Sequence, residues 1–223
     1  MAQTQLTASD GVTIGAYEAR PASAAKGGVV VIQEIFGVNQ HIREVVDGYA
    51  EAGYVAIAPQ IFDRIEPNIE LGYEGADMER GVGLAFNQLD RSATMLDIQA
   101  AIDAAGVYGK VGVVGYCFGG LLTWLSACEL SGVAAVSAYY GGGIAGELER
   151  QAQVPVMMHF GDQDAHIPVS DVDKIRTAQP AATVHLYEAD HGFNCNHRGS
   201  FNQAAATTAA QRTHAFFGEH LAK

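Results

Sequence analysis

Residues 111–120 read VGVVGYCFGG. A valine-rich run stops at Gly115, and Cys117 follows between Gly115 and Gly119. A short continuous apolar run of this kind marks a strand buried on both faces, as in a parallel sheet. LLTWLSACEL (121–130) comes directly after it and reads as a helix. The stretch therefore predicts strand, sharp turn, helix, with a thiol on the turn. Such a cysteine is either a small core residue, the commonest fate of the residue type, or a nucleophile held clear of the sheet.

Outward from this stretch the same alternation continues. Residues 11–19, GGVVVIQE (27–34), YVAIAP (54–59), VAAVSAYYG (133–141), VPVMMHFGD (154–162) and ATVHLYEAD (182–190) read as further strands. HIREVVDGYAEAG (41–53), residues 89–105 and an alanine-rich stretch from Asn202 onward read as helices. Residues 60–87 hold charges and glycines without clear periodicity, as a surface excursion would. Alternating strands and helices predict an α/β fold, one domain over 1–223, with a mostly parallel sheet flanked by helices on both faces. In such sheets chemistry sits beyond the carboxyl ends of the strands. That directs attention to the loops 33–39, 116–120, 161–168 and 190–197.

Composition narrows the class. The chain has 223 residues, 48% hydrophobic and 17% charged, which suits a globular domain with a sizeable core. Its 13 basic and 25 acidic residues leave a formal net charge of −12, which argues against nucleic acid and against an anionic membrane surface as partners. An anionic substrate would need local arginines against that field. Three cysteines, Cys117, Cys128 and Cys195, form no disulfide framework. With no secretory signal and no apolar run of membrane-spanning length, the expected setting is the cytoplasm, as a monomer or small homo-oligomer.

Gly115-Tyr116-Cys117-Phe118-Gly119 fits the nucleophile-elbow pattern with cysteine in place of serine. Glycines at both ends relieve a turn that strains its central residue. The sulfur then stands at a helix N-terminus, where the dipole and free N–H groups favour a thiolate and receive an oxyanion. A thiol hydrolase also needs a base and a group to orient it. Asp164 lies just past the strand in HFGDQD (159–164), and His191 past the next strand in ADHGF (189–193). Asp162 is the competitor for the acid, nearer the strand. The order nucleophile, acid, histidine is that of α/β-hydrolases. His191, Cys195 and His197 match no common zinc spacing, and this chemistry needs no metal or cofactor.

QEIFGVN (33–39), GYCFGG (115–120), GDQDAHIP (161–168) and HGF (191–193) together resemble the dienelactone hydrolases, the carboxymethylenebutenolidases of the α/β-hydrolase superfamily. The similarity runs from about residue 10 into the C-terminal helix. It implies a Cys-Asp-His triad of Cys117, Asp164 and His191, and a part for Glu34 in activating the thiol when substrate binds. At rest such a carboxylate near the sulfur opposes the thiolate by like-charge repulsion. The backbone N–H groups of Ile35 and Phe118 would form the oxyanion hole. The implied reaction opens a small ester or lactone bearing a carboxylate gripped by arginines. One family arginine falls four residues after the histidine, where this chain has Cys195; Arg198 is the nearby substitute. Arg80 is the candidate for the other, although the tyrosine that the pattern places four residues on is Leu84. Tyr140 is a candidate pocket residue. The residues leave open a broader carboxylesterase or thioesterase, and a non-catalytic thiol sensor or binding domain.

Overall fold

The computed structural model describes residues 2–222. Its strands are β1 (Ala2–Thr7), β2 (Thr13–Ala19), β3 (Gly28–Ile32), β4 (Val55–Pro59), β5 (Val111–Tyr116), β6 (Val133–Tyr139), β7 (Val156–Gly161) and β8 (Thr183–Tyr187). They form one sheet in the order β1-β2-β4-β3-β5-β6-β7-β8. Pairing is parallel from β4 to β8, and antiparallel where β2 meets β1 and β4. Every residue of β3, β4 and β5 is buried, which is why those stretches read as continuous apolar runs.

Among the described residues six α-helices accompany the sheet: α1 (Gln40–Glu51), α2 (Gly75–Gly83), α3 (Arg91–Gly106), α4 (Phe118–Glu129), α5 (Val169–Ala178) and α6 (Gln203–His220). Three of them begin where a side chain satisfies an orphan N–H. Asn39, Asp90 and Asn202 accept from Ile42 N, Ala93 N and Ala205 N respectively. This is the mostly parallel α/β architecture that the alternation predicts, in the α/β-hydrolase form that the resemblance implies. None of the helices among the described residues is long and apolar enough to cross a membrane. Strand order reverses between β3 and β5, so the loops after these two strands open at the switch point of the sheet.

Two parts depart from the sequence reading. β1 precedes the first expected strand; it lies at the sheet edge and is mostly exposed, so it shows no apolar alternation. Residues 60–87 are more than a surface excursion. Ile61, Phe62, Ile69 and Leu71 are core residues, Gly37 bridges to Glu70, and α2 leads into a π-helical turn at Leu84–Gln88. Their apolar positions follow no single period because loop, helix and π turn each face the core differently.

An ion-pair network ties this region down. Arg64 makes a bidentate pair with the fully buried Asp97 on α3, at 2.7 and 2.8 Å, and also reaches Asp10 in the β1–β2 turn. Arg64→Met strands a buried carboxylate and is expected to cost about 3 kcal/mol of stability. A thermal melt should fall by roughly 6–12 °C. Adding Asp97→Asn to that variant should return part of the loss.

Candidate active site

Cys117 sits between β5 and α4 with φ +56° and ψ −117°, a backbone conformation that costs a non-glycine residue on the order of 1–3 kcal/mol. Its surroundings hold it there. Cys117 N donates to Tyr139 O at 3.0 Å, and its carbonyl accepts from Gly120 N at 2.9 Å. The flanking glycines answer two separate contacts. A Cβ at Gly115 would lie 2.2 Å from the Gly119 carbonyl oxygen, within the elbow itself. One at Gly119 would lie 2.4 Å from the Gln33 carbonyl oxygen, so this glycine lets α4 approach the end of β3. That approach brings the loops carrying Ile35 and Phe118 together. Phe118 opens α4, where an N–H has no intrahelical partner. Neither the Ile35 nor the Phe118 N–H donates to a backbone carbonyl among the described residues.

From the sulfur a hydrogen-bonded line runs inward. His191 Nε2 lies 3.1 Å from Cys117 Sγ, and His191 Nδ1 lies 2.7 Å from Asp164 Oδ2. The other Asp164 oxygen accepts from His166 N at 2.8 Å and Ile167 N at 3.1 Å, which fixes the carboxylate. Asp162 is exposed and plays no part in this line; its N–H pairs with Tyr187 O. Burial works against a charged His191, but its bonds to Asp164 and Cys117 outweigh it and push the imidazole up to about 10. Burial also raises Asp164, but its bond to His191 prevails and holds the carboxyl below its ordinary value.

Glu34 is 1% exposed and pairs with Arg198, whose Nη1 lies 3.2 Å from Oε1. Oε2 has no partner among the described residues, and Glu34 makes no hydrogen bond to Cys117. The carboxylate expected to oppose the thiolate thus has a cationic neighbour of its own. Arg198 is held on several sides. Its guanidinium lies over the rings of Phe36 and Tyr73, at 5.6 and 5.8 Å, and a Cβ at Gly192 would come within 2.5 Å of Nη1. Arg80 is exposed on α2 and pairs with Glu66 at 2.7 Å. Tyr140 is fully buried with φ +36°; its ring lies 5.1 Å from that of His191, and its hydroxyl has no partner among the described residues.

Cys195, at the position where the family pattern has an arginine, is fully buried; burial and the nearby Glu34 charge push its thiol up to about 11. Burial does the same to Cys128, also to about 11. No group of three or more His, Cys, Asp and Glu side chains among the described residues is arranged to hold a metal. Sequence reasoning missed Phe36 and Tyr73, because nothing local marks an aromatic face that an arginine from a distant loop will cover. It also missed the buried network beneath the site, where His159 bonds Tyr187 at 2.7 Å and Thr213 at 3.0 Å. The strand-end pattern of HFGDQD (159–164) points to Asp164 but says nothing of a core histidine's partners.

Comparison with known proteins agrees with this architecture. The sequence model of the dienelactone hydrolase family matches residues 14–221. A relative from Synechocystis sp. is 37% identical, covering 93% of this chain and 92% of its own. The carboxymethylenebutenolidase of Pseudomonas putida is 34% identical over 91% of this chain and 90% of its own. A crystal structure from Klebsiella pneumoniae superposes with a TM-score of 0.84 at 29% identity, covering 98% of both chains. This chain belongs to the dienelactone hydrolase family and is an ester hydrolase.

Proposed function

We propose that Cys117 is the nucleophile of a cofactor-independent hydrolase that opens a small ester or lactone of the dienelactone kind. The observation that carries this reading is the line Cys117 Sγ, His191, Asp164, at 3.1 and 2.7 Å. The sulfur attacks the acyl carbon as His191 Nε2 takes the thiol proton, and a C–S bond forms. Charge develops on the carbonyl oxygen and is received by the N–H groups of Ile35 and Phe118. The C–O bond breaks as His191 gives its Nε2 proton to the departing oxygen, leaving an acyl-thioenzyme. Water then attacks the thioester carbonyl while His191 takes its proton. The C–S bond breaks, and a carboxylic acid departs. Asp164 keeps the ring in the tautomer that serves both steps.

Arg198 and Glu34 set the preference for an acidic substrate. Arg198 is already paired to Glu34, so a substrate carboxylate competes for the same guanidinium and frees Glu34 beside the thiol. Tyr140, with a buried hydroxyl lacking a partner, supplies a hydrogen-bonding group next to His191. Arg80 takes part only if α2 releases it from Glu66. Arg198→Gln is expected to lower kcat/KM for a carboxylate-bearing lactone by about 10- to 100-fold, the scale of a lost charged hydrogen bond. Neutral esters should change far less. Equal losses on both would favour the broader esterase.

The nucleophile is tested by quenching turnover of an activated ester in acid and mapping the acyl adduct by peptide mass spectrometry. The adduct is expected on Cys117 alone. An adduct on Cys195 or Cys128, or none during a measured burst, would remove Cys117 from this role.

A further inference from the structure

Two large apolar side chains stand in water on the segment that packs against Ile35 and Phe118. Phe86 is 62% exposed and Val82 41%. Both lie where α2 runs into the π-helical turn, whose wide bonding is seen in Leu89 N donating to Leu84 O at 2.9 Å. Within that turn Leu84 and Ala85 are buried while Phe86 projects outward. The segment is therefore anchored, and the exposed ring is held in place rather than left on a loose loop.

Two contacts seat it on the loops that carry the proposed oxyanion donors. Gly81 lies so near the Ile35 carbonyl that a Cβ there would stand 2.5 Å from the oxygen. The Phe86 ring meets Phe118 edge-on, with centroids 5.5 Å apart, and Phe118 follows Cys117 directly in the chain. Scattered exposed apolar residues are ordinary on a protein surface. Here, however, the ring is placed over the residue next to the sulfur, by a π turn of the kind that concentrates at functional sites.

We propose that Phe86, with Val82, is the landing surface for the larger apolar group of the ester, so that esters with an extended alkyl group are preferred over acetate-sized ones. The proposal rests on the thiol-centred reading above. Apolar substrate surface laid against the ring leaves water, and a fully buried methylene is worth about fourfold in kcat/KM. A surface open on one side gives less than that for each carbon.

The group landing on Phe86 belongs either to the acyl or to the alcohol half, so the test has two arms. One measures kcat/KM for p-nitrophenyl acetate, butyrate and hexanoate; the other uses ethyl, butyl and hexyl acetate. In the wild type kcat/KM is expected to rise along one arm. Phe86→Ser should flatten that rise, with about a tenfold loss on the longest ester and less than about a twofold change on the shortest. Phe86→Leu should retain most of the rise, and Val107→Ser, which changes an apolar residue 75% exposed elsewhere, should retain all of it. A flat wild-type response along both arms, or an equal loss on every ester in Phe86→Ser, overturns the proposal. Cys117→Ala is assayed in parallel. Persistent turnover there would overturn the thiol reading instead, whatever the chain-length response.

Discussion

Cys117→Gly is expected to abolish ester hydrolysis and, at the same time, to make the protein more stable. The loss in kcat should be at least about 10⁴-fold, the scale seen when a triad nucleophile is removed. The gain follows from the backbone. At φ +56° and ψ −117° a side chain is strained, and glycine alone occupies that region freely. Relief of that strain outweighs the greater freedom glycine gains in the unfolded chain, leaving about 1 kcal/mol, or roughly 2–4 °C in Tm. Cys117→Ala separates the two effects, because alanine lacks the sulfur but keeps the strain; it should be equally inactive without the rise in Tm. A glycine variant that melts below wild type would mean that the thiol's own contacts, not the turn, dominate stability here.

Asp164→Asn is expected to lower kcat by about 10³- to 10⁴-fold, since an amide no longer enforces the productive tautomer of His191. Its effect on pH behaviour is equally specific. Desolvation disfavours the His191 cation, and the bonds to Asp164 and Cys117 more than reverse this, to about 10. A histidine raised in the folded state stabilises the protein fully below its unfolded value near 6.5. That contribution is lost as pH rises through about 10. Asp164 runs the other way: held below its ordinary value, it stabilises above about 3.8, and the contribution fades as pH falls through the lower folded value. The two contributions are therefore complete together between about pH 4 and 6.5. In Asp164→Asn the imidazole should titrate at lower pH, and the alkaline fall in Tm should begin earlier. Imidazole resonances followed by NMR against pH report the His191 titration directly. An unchanged His191 titration would show that Asp164 does not hold the cation.

The two effects have a common physical source. The elbow is a strained turn over-determined by close packing of β3, β5 and α4, and the line Cys117, His191, Asp164 is a short electrostatic chain in a mostly buried place. Each puts local cost at Cys117 and stabilisation in the surrounding sheet, the pattern expected where a fold carries chemistry. The Arg198–Glu34 pair extends this. A buried carboxylate is tolerated because a cation from residue 198 meets it.

Much of this was legible along the chain because it rests on local rules. Continuous valine-rich runs announce strands covered on both faces, glycines at 115 and 119 announce a turn without room for side chains, and an aspartate and a histidine just past strand ends announce loops on one edge of a parallel sheet. Periodicity and turn chemistry act over a few residues, so the residues alone determined the α/β architecture and the order Cys117, Asp164, His191. The tertiary structure decided which side chains meet. Glu34 and Arg198 pair across 164 positions, Tyr73 and Phe36 flank that arginine, Arg80 goes to Glu66, and a π turn lifts Phe86 over Phe118. No local pattern encodes such encounters, because they depend on how loops from separate strands pack at the sheet's switch point, where burial and charge select partners through space.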